Sequence, residues 1–379
     1  MKFCAIICEY NPMHNGHIYQ INQVKQLCDA EAILCVLGGN FNQRGLPCVF
    51  DKHTKAQIAL NNGADIVCEL PSAYCVQSAE IFALSSIKLL NSIKNVTHLC
   101  FGSECGDINM LNDIASYLLY PQKAFKKQLK KYLKDGFSYA ASIEKSISND
   151  EWLDVIKKPN NLLAIEYLKA LKLTKSEIIP LTIKRQDNYN DVCIADNTFI
   201  SATAIRNAFN NDKLQEIKNF VPYDAFENLK KCKVDYEKLE LISEYCFNIA
   251  NKNIREINEV SEGIENYLKN TSSPTTRYRI NKINRTKLNV MLGINKSAIK
   301  SLYKIKKLPY IKVLACNKNV LSDLSCNTNL ILRKSDIIKK SKLFKQLERI
   351  DNNSNILYNL ISQTKLSKSS LYEKTLFKN

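Results

Sequence analysis

With 379 residues, 45% of them hydrophobic, the chain can bury a sizeable core, which excludes a small scaffold held together by metals or cross-links. Its 14 cysteines are scattered, and neither Cys4/Cys8 nor Cys100/Cys105 has the two-residue gap of a zinc knuckle or redox motif, so they read as reduced core residues and no protein-held metal is expected. The 54 Lys and Arg against 37 Asp and Glu leave a net charge of +17, which argues against a cationic partner and for a polyanionic one.

The chain opens on a predicted strand at 2–8 (KFCAIIC), too short for the core of a signal peptide and followed at once by a polar loop. Further short apolar runs at 32–37, 65–70, 98–101 and 177–183 read as strands, separated by apolar residues at helical spacing over 16–28, 52–62, 78–90 and 121–134. Strands alternating with helices predict an α/β fold with a parallel sheet, in a first domain over 1–212. Beyond about residue 212 the strand signals fade, and polar helical patterns such as 239–251 and 256–269 predict a second, mostly α-helical domain over 213–379. Within it, NTSSP at 270–274 reads as a linker or loop, LPYIKVLA at 308–315 as a return to a strand, and the polar stretch from Asp351 as one that frays toward its end. No run approaches the length needed to span a bilayer, so a soluble cytoplasmic protein without a membrane partner is expected.

Residues 9–17, EYNPMHNGH, lie between the first predicted strand and the first predicted helix and hold two of only four histidines. His14 and His17, three residues apart at a helix start, fall near one face, beside free backbone N–H groups and the positive end of the dipole, an arrangement that binds phosphate. Gly16 lets the backbone approach a ligand closely, and Pro12 stiffens the turn. Downstream, FISATAIR at 199–206 offers Ser201 or Thr203 as a helix cap with Arg206 on the first turns, a second place where helix amides and a cation meet an anion. The positive charge is concentrated: between Glu265 and Asp323 there is no carboxylate, while thirteen Lys and Arg fall inside, among them Arg277, Arg279, Lys282 and Arg285. With Tyr278, Tyr303 and Tyr310 interleaved, this stretch is predicted to track the phosphates of RNA and to offer rings for stacking.

In HNGH at 14–17 the sequence resembles the HxGH nucleotidyltransferases, whose two histidines bind the phosphates of ATP; FISATAIR resembles the segment that closes over the β- and γ-phosphates in that superfamily. Six stretches narrow the resemblance to the tRNA(Met) cytidine acetate ligase family: EYNPMHNGH at 9–17, GNFNQRG at 39–45, GADIVCELP at 63–71, FGSE at 101–104, KPNN at 158–161 and TIKR at 182–185, with a weaker echo in YIKVL at 310–314. The resemblance implies a Rossmann-like nucleotidyltransferase domain followed by the helical, basic region. It implies that ATP is bound by Ile7, Cys8, Glu9, Tyr10, Asn11, Pro12, Met13, His14, Asn15, Gly16, His17, Ile18, Tyr19 and Gln20, with Gly102, Asn160, Arg185, Ser201 and Thr203, and that His14, His17 and Arg206 are catalytic. Mg²⁺ is expected as counter-ion of the triphosphate.

The implied reaction has two steps, in which acetate and ATP give acetyl-adenylate, and the exocyclic amine of the wobble cytidine of elongator tRNA(Met) then takes the acetyl group to become N4-acetylcytidine. On that expectation Arg277, Arg279, Lys282 and Arg285 contact the tRNA. Two positions depart from the family pattern: Gly38 stands where a serine is expected, and QDNYND after Arg185 lacks the family's glycines. The rival readings are a small-molecule adenylyltransferase, which leaves the basic second half without a role, and a non-catalytic RNA-binding protein, against which the intact His14, His17 and Arg206 count.

Overall fold

Five parallel strands, β1 (Phe3–Cys8), β2 (Ala32–Gly38), β3 (Ile66–Leu70), β4 (Val96–Ser103) and β5 (Ile179–Lys184), form a sheet in the order β5-β4-β1-β2-β3 in the computed structural model. The structure describes residues 1–137, 139–185, 199–250, 253–260, 277–324, 329–333, 336, 341–363 and 374–378. Successive side chains alternate between two cores: Phe3, Ala5, Leu34, Val36, Ile66 and Cys68 pack on one face, and Cys4, Ile6, Ile33, Cys35 and Val67 on the other. Helices cover both faces, which is why these strands read as unbroken apolar runs. The first core takes in residues of the helices Ala79–Leu90, Ile108–Leu119, Pro159–Thr174, Arg277–Leu292 and Lys342–Ile361; the second takes in those of Asn15–Leu27, Lys52–Asn61 and Ala202–Asn210.

The predicted return to a strand at 308–315 is β6 (Tyr310–Asn317), antiparallel to β3, with β7 (Asn329–Ile331) and β8 (Leu376–Lys378) parallel to β6. The chain beyond 212, otherwise mostly helical, thus adds three strands to the sheet begun at residue 3. One expectation needs correction. Residues 257–260 are not helical: a 3₁₀ turn at Ile254–Glu256 precedes them, Ile257 bridges to Asn295, and Ile257 and Val260 pack on Val290, so tertiary pairing outweighs the helical pattern. The remainder of that predicted helix, 261–269, and NTSSP at 270–274 lie outside the described residues. The polar stretch from Asp351 starts inside the helix Lys342–Ile361, where Asp351 is buried and accepts hydrogen bonds from the Tyr310 hydroxyl at 2.7 Å and the Ser72 N–H at 2.8 Å, and its residues 364–373 lie outside the described ones.

GNFNQRG forms the turn that seats the Arg277–Leu292 helix. Gly45 has φ of +83°, and a Cβ there would stand 2.6 Å from the Arg285 backbone nitrogen, so both the turn and the approach require glycine. Next to it, Asp51 caps the Lys52–Asn61 helix by accepting from the His53 and Thr54 N–H groups.

His53 itself is 1% exposed, with no hydrogen-bond partner at either ring nitrogen among the described residues. Burial, then the charge of Lys52, pushes its pKa down to about 4. The folded imidazole therefore stays neutral while the unfolded one takes a proton below pH 6.5, so this contribution to stability is full above pH 6.5 and is lost as pH falls toward 4. Asp351, pushed up to about 6 by burial and then Glu69, works in the opposite direction, so the informative comparison is between variant and parent. His53→Phe is expected to stabilise the protein by about 1–3 kcal/mol at pH 7 by removing an unsatisfied buried polar group, and to lose less on acidification. Thermal unfolding at pH 7 and pH 5 measures both; equal acid losses in the two proteins would assign the proton uptake to another group.

Candidate functional site

The sheet order changes direction between β1, which continues into β2 on one side, and β4 on the other, and a crevice opens at the carboxyl ends of such a pair. There a cleft open to solvent is lined by His14, Gly16, His17, Tyr19, Gln20, Gly102, Ile183, Lys184, Arg185 and Phe199. The loop after β1 reaches it through Tyr10, buried at φ +45°, and a cis Asn11–Pro12 peptide, with Asn11 Oδ1 accepting from the Val49 N–H at 2.8 Å.

His14 is the N-cap of the Asn15–Leu27 helix, and its pairing with His17 is reciprocal. His14 Nδ1 accepts from the Gly16 N–H at 3.1 Å, while the His14 N–H donates to His17 Nδ1 at 3.2 Å; the two rings lie 3.8 Å apart. With both Nδ1 atoms accepting, the proton of each neutral ring resides on Nε2, so the cap turns the pair into two oriented N–H donors. Burial, then His14, then the Arg185 charge hold His17 well below the usual histidine range, so at neutral pH it donates without carrying charge. Gly16 leaves room for the cap: a Cβ there would lie 3.0 Å from His14 Cε1 and press on the ring that accepts its N–H. Opposite, the Arg185 N–H donates to the Ser103 carbonyl at 2.9 Å, and the side-chain stem of Arg185 runs over Gly102, whose absent Cβ would meet Arg185 Cγ at 3.3 Å.

The structure therefore brings His14, Gly16, His17, Tyr19, Gln20, Gly102 and Arg185 to one cleft. The other expected nucleotide residues lie behind it. Ile7 and Cys8 belong to β1, Tyr10 and Met13 are core, and Asn15 Nδ2 donates to the Asn219 carbonyl. Glu9 Oε1 accepts the Gln43 N–H, and its carbonyl accepts from buried Lys55. Ser201 caps the Ala202–Asn210 helix. Arg206, expected at the phosphates, donates to the Asn11 carbonyl at 2.7 Å and to Thr203 Oγ1 at 3.1 Å, and burial lowers its pKa. It ties that helix to the histidine loop. Asn160 is not among the lining residues; Glu104 Oε1 accepts its N–H at 3.1 Å and its amide at 2.8 Å and so fixes its place beside Gly102 and Ser103, where β4 ends. Gly38, the departure from the family pattern, faces Cys75 Sγ, which a Cβ would meet at 3.0 Å, so sulfur fills the space of a side chain. QDNYND at 186–191 lies outside the described residues.

Sequence reasoning missed Ile183, Lys184 and Phe199 in the lining, and Glu104 with Asn161 behind it. Asn161 is fully buried; its Oδ1 accepts the N–H groups of Glu104 and Cys105, and its own N–H donates to Glu104 Oε2 at 2.7 Å. FGSE and KPNN are thus two halves of one lock, a signal present in the motifs but not in their spacing.

The expected RNA stretch needs correction. Arg285 is buried and its Nε donates to Glu259 Oε1 and Oε2 at 2.9 and 3.1 Å, which removes it from any exposed phosphate track. Lys287 pairs with Glu240, and Lys312 is buried against Glu69. Tyr310 is core, and Tyr303 donates to Glu80 at 2.9 Å. Carboxylates distant in sequence thus compensate part of the stretch, while Lys300, Lys304, Lys306 and Lys307 are exposed with no ion pair among the described residues. Lys282 is half-buried beside Glu259, whereas the side chains of Arg277 and Arg279 lie outside what is described. No helix among the described residues is long and apolar enough to cross a membrane.

The HIGH Nucleotidyl Transferase family model matches residues 1–373. A protein named tRNA(Met) cytidine acetate ligase from Clostridium novyi is 37% identical, covering 96% of each chain, and one of the same name from Clostridium perfringens is 33% identical over 100% of each. The crystal structure of Thermotoga maritima TmcAL bound with alpha-thio ATP superposes with a TM-score of 0.86 at 26% identity, covering 100% of both chains.

Proposed function

The chain belongs to the HIGH nucleotidyl transferase family and within it to the tRNA(Met) cytidine acetate ligases, and from that premise we propose that it joins acetate to the wobble cytidine of elongator tRNA(Met) in the cytoplasm at the expense of ATP. The observation that carries this reading is the reciprocal His14/His17 cap, which aims two neutral N–H donors and a helix N-terminus into a cleft faced by Arg185.

An acetate oxygen attacks the α-phosphorus of ATP, the bond to the β-phosphate bridging oxygen breaks, and pyrophosphate leaves. The exocyclic amine of cytidine then attacks the acetyl carbonyl, the bond to AMP breaks, and the amine loses a proton as N4-acetylcytidine forms. His14 and His17 stabilise negative charge on the phosphates by hydrogen bonding, and Arg185 by charge, with no covalent nucleophile needed. None of the cleft-lining residues among those described is a carboxylate, and this donor set suits an anion; Mg²⁺ would arrive on the triphosphate. Asn160 approaches the nucleotide from the Pro159–Thr174 helix, positioned by Glu104. Lys282, with Arg277 and Arg279, contributes to the RNA side, without Arg285.

Glu104→Ala is expected to raise KM for ATP by about tenfold while kcat changes little, because it releases Asn160 from its position. Glu104→Gln, which keeps one acceptor oxygen, should fall between. Initial-rate kinetics at varied ATP measure this, and an unchanged KM would remove Asn160 from the nucleotide contacts. The whole proposal is tested by incubating the protein with ATP, acetate and unmodified elongator tRNA(Met), then analysing the nucleosides by mass spectrometry. N4-acetylcytidine appearing only when all three are present is the expected result. ATP turnover independent of both acetate and tRNA would overturn it in favour of small-molecule adenylyl transfer.

A further inference from the structure

We infer that the lysine face of the helix Lys123–Lys134 is a docking surface for the phosphate backbone of RNA, an inference that rests on the proposed tRNA reaction and assigns it a contact surface outside the carboxylate-free stretch. The helix, KAFKKQLKKYLK, carries Lys123, Lys126, Lys127, Lys130, Lys131 and Lys134, and every one is exposed. It contains no acidic residue, and none of the six lysines is held in an ion pair among the described residues. Several lysines elsewhere are paired, Lys169 with Glu166, Lys213 with Glu216, Lys230 with Glu227 and Lys287 with Glu240, and the other exposed run without ion pairs among the described residues, Lys300, Lys304, Lys306 and Lys307, is divided between the end of one helix and the loop after it. An uncompensated array on one rigid element is what a polyanion with regularly spaced charges would meet, since each phosphate neutralised releases condensed counter-ions.

A basic amphipathic helix could instead lie on an anionic membrane, but that mode requires its apolar face to be free. Here that face is occupied: Phe125 is buried with its ring 5.1 Å from Tyr117, which in turn stacks on Trp152 at 5.3 Å, and Leu129 and Tyr132 are half-buried. Of the large apolar side chains of the helix only Leu133, 42% exposed, reaches the surface, one residue where lying on a bilayer needs a continuous apolar face, whereas all six lysines point outward. The placement also suits RNA delivered to the cleft. The helix belongs to the insertion between β4 and β5, whose two ends are pinned at the site, by Gly102 in the lining and by the Glu104 lock on Asn160 and Asn161. RNA bound along the lysines would therefore be held on the segment that frames the nucleotide cleft.

The test is to replace Lys123, Lys127, Lys130 and Lys134 together by Gln in the full chain, and by Arg in a charge-keeping control, and to measure unmodified tRNA binding at several salt concentrations. The Gln variant is expected to bind tRNA at least about tenfold more weakly, with the log/log salt slope shallower by roughly 0.7–0.9 for each phosphate no longer neutralised, while the Arg variant stays near the parent. Acetate-dependent ATP/pyrophosphate exchange without tRNA should be unchanged in both. An unaltered affinity and slope in a protein whose parent acetylates tRNA would overturn this surface alone. Loss of binding to phosphatidylserine vesicles with tRNA affinity intact would overturn it in favour of a membrane. A parent protein that neither binds nor acetylates tRNA would overturn the functional reading with it.

Discussion

Replacing His14 or His17 by Ala is expected to lower acetate-dependent ATP/pyrophosphate exchange by about 10²–10³-fold each, the magnitude of losing one oriented donor to developing negative charge. The two effects should not multiply. The two rings lie against each other with centroids 3.8 Å apart, so removing either ring leaves the other without the neighbour that helps to orient it. The double variant is therefore expected to lose less than the product of the single losses. Part of the His14→Ala effect could be mere fraying, because an N-cap residue is worth about 1 kcal/mol. His14→Asn separates the two roles: asparagine can accept the cap hydrogen bond but lacks an imidazole Nε2–H, so its melting temperature should stay near the parent while exchange remains low. Wild-type exchange in the double variant would refute the phosphate role of this pair.

How far that site was legible differs from residue to residue. EYNPMHNGH after an apolar run was enough to place His14 and His17 together at a strand-to-helix turn, because such a turn leaves few geometries. What could not be read was that the histidines cap each other, since Nδ1 as acceptor is a matter of rotamer and not of spacing. The same limit explains Arg206: its position on the first turns of a capped helix was legible, but its bond to the Asn11 carbonyl depends on how that helix packs against another loop. Four of the five parallel strands were visible because they are buried on both faces, whereas β5, at the sheet edge, is only half-buried and was legible as a short apolar run after a helix. The C-terminal strands were harder, since β7 and β8 have three residues each and gain stability only by adding to β6. Charge along the chain misled for a related reason. A stretch without carboxylates looked like a free cationic surface, yet Arg285 and Lys312 find theirs in Glu259 and Glu69, which only folding brings near.

That last pairing leads to the largest expected loss of stability. Glu69, on β3, is 2% exposed; Lys52 Nζ donates to both of its oxygens at 2.9 Å, and Lys312 Nζ, on β6, lies 3.3 Å from Oε2. Glu69 and Lys312 are register partners in the one antiparallel pairing of the sheet that joins β6 to the parallel strands. Glu69→Gln keeps the shape but leaves two buried ammonium groups without their shared carboxylate, a change worth about 3–5 kcal/mol when a buried pair is broken from one side. Asp351 should partly take over. The charge of Glu69 helps hold its pKa up, so without that charge Asp351 ionises more readily beside Lys312 and Lys52, and the stability it gains on acidification should move to lower pH. Removing all three charges, as Glu69→Leu with Lys52→Met and Lys312→Met, should recover much of the loss, because an apolar trio need not desolvate any ion. Denaturant unfolding of the three proteins at pH 7 and pH 5 measures each effect. A loss below about 1 kcal/mol in Glu69→Gln would mean that other groups neutralise the two lysines, and that apolar packing alone fastens β6 to β3.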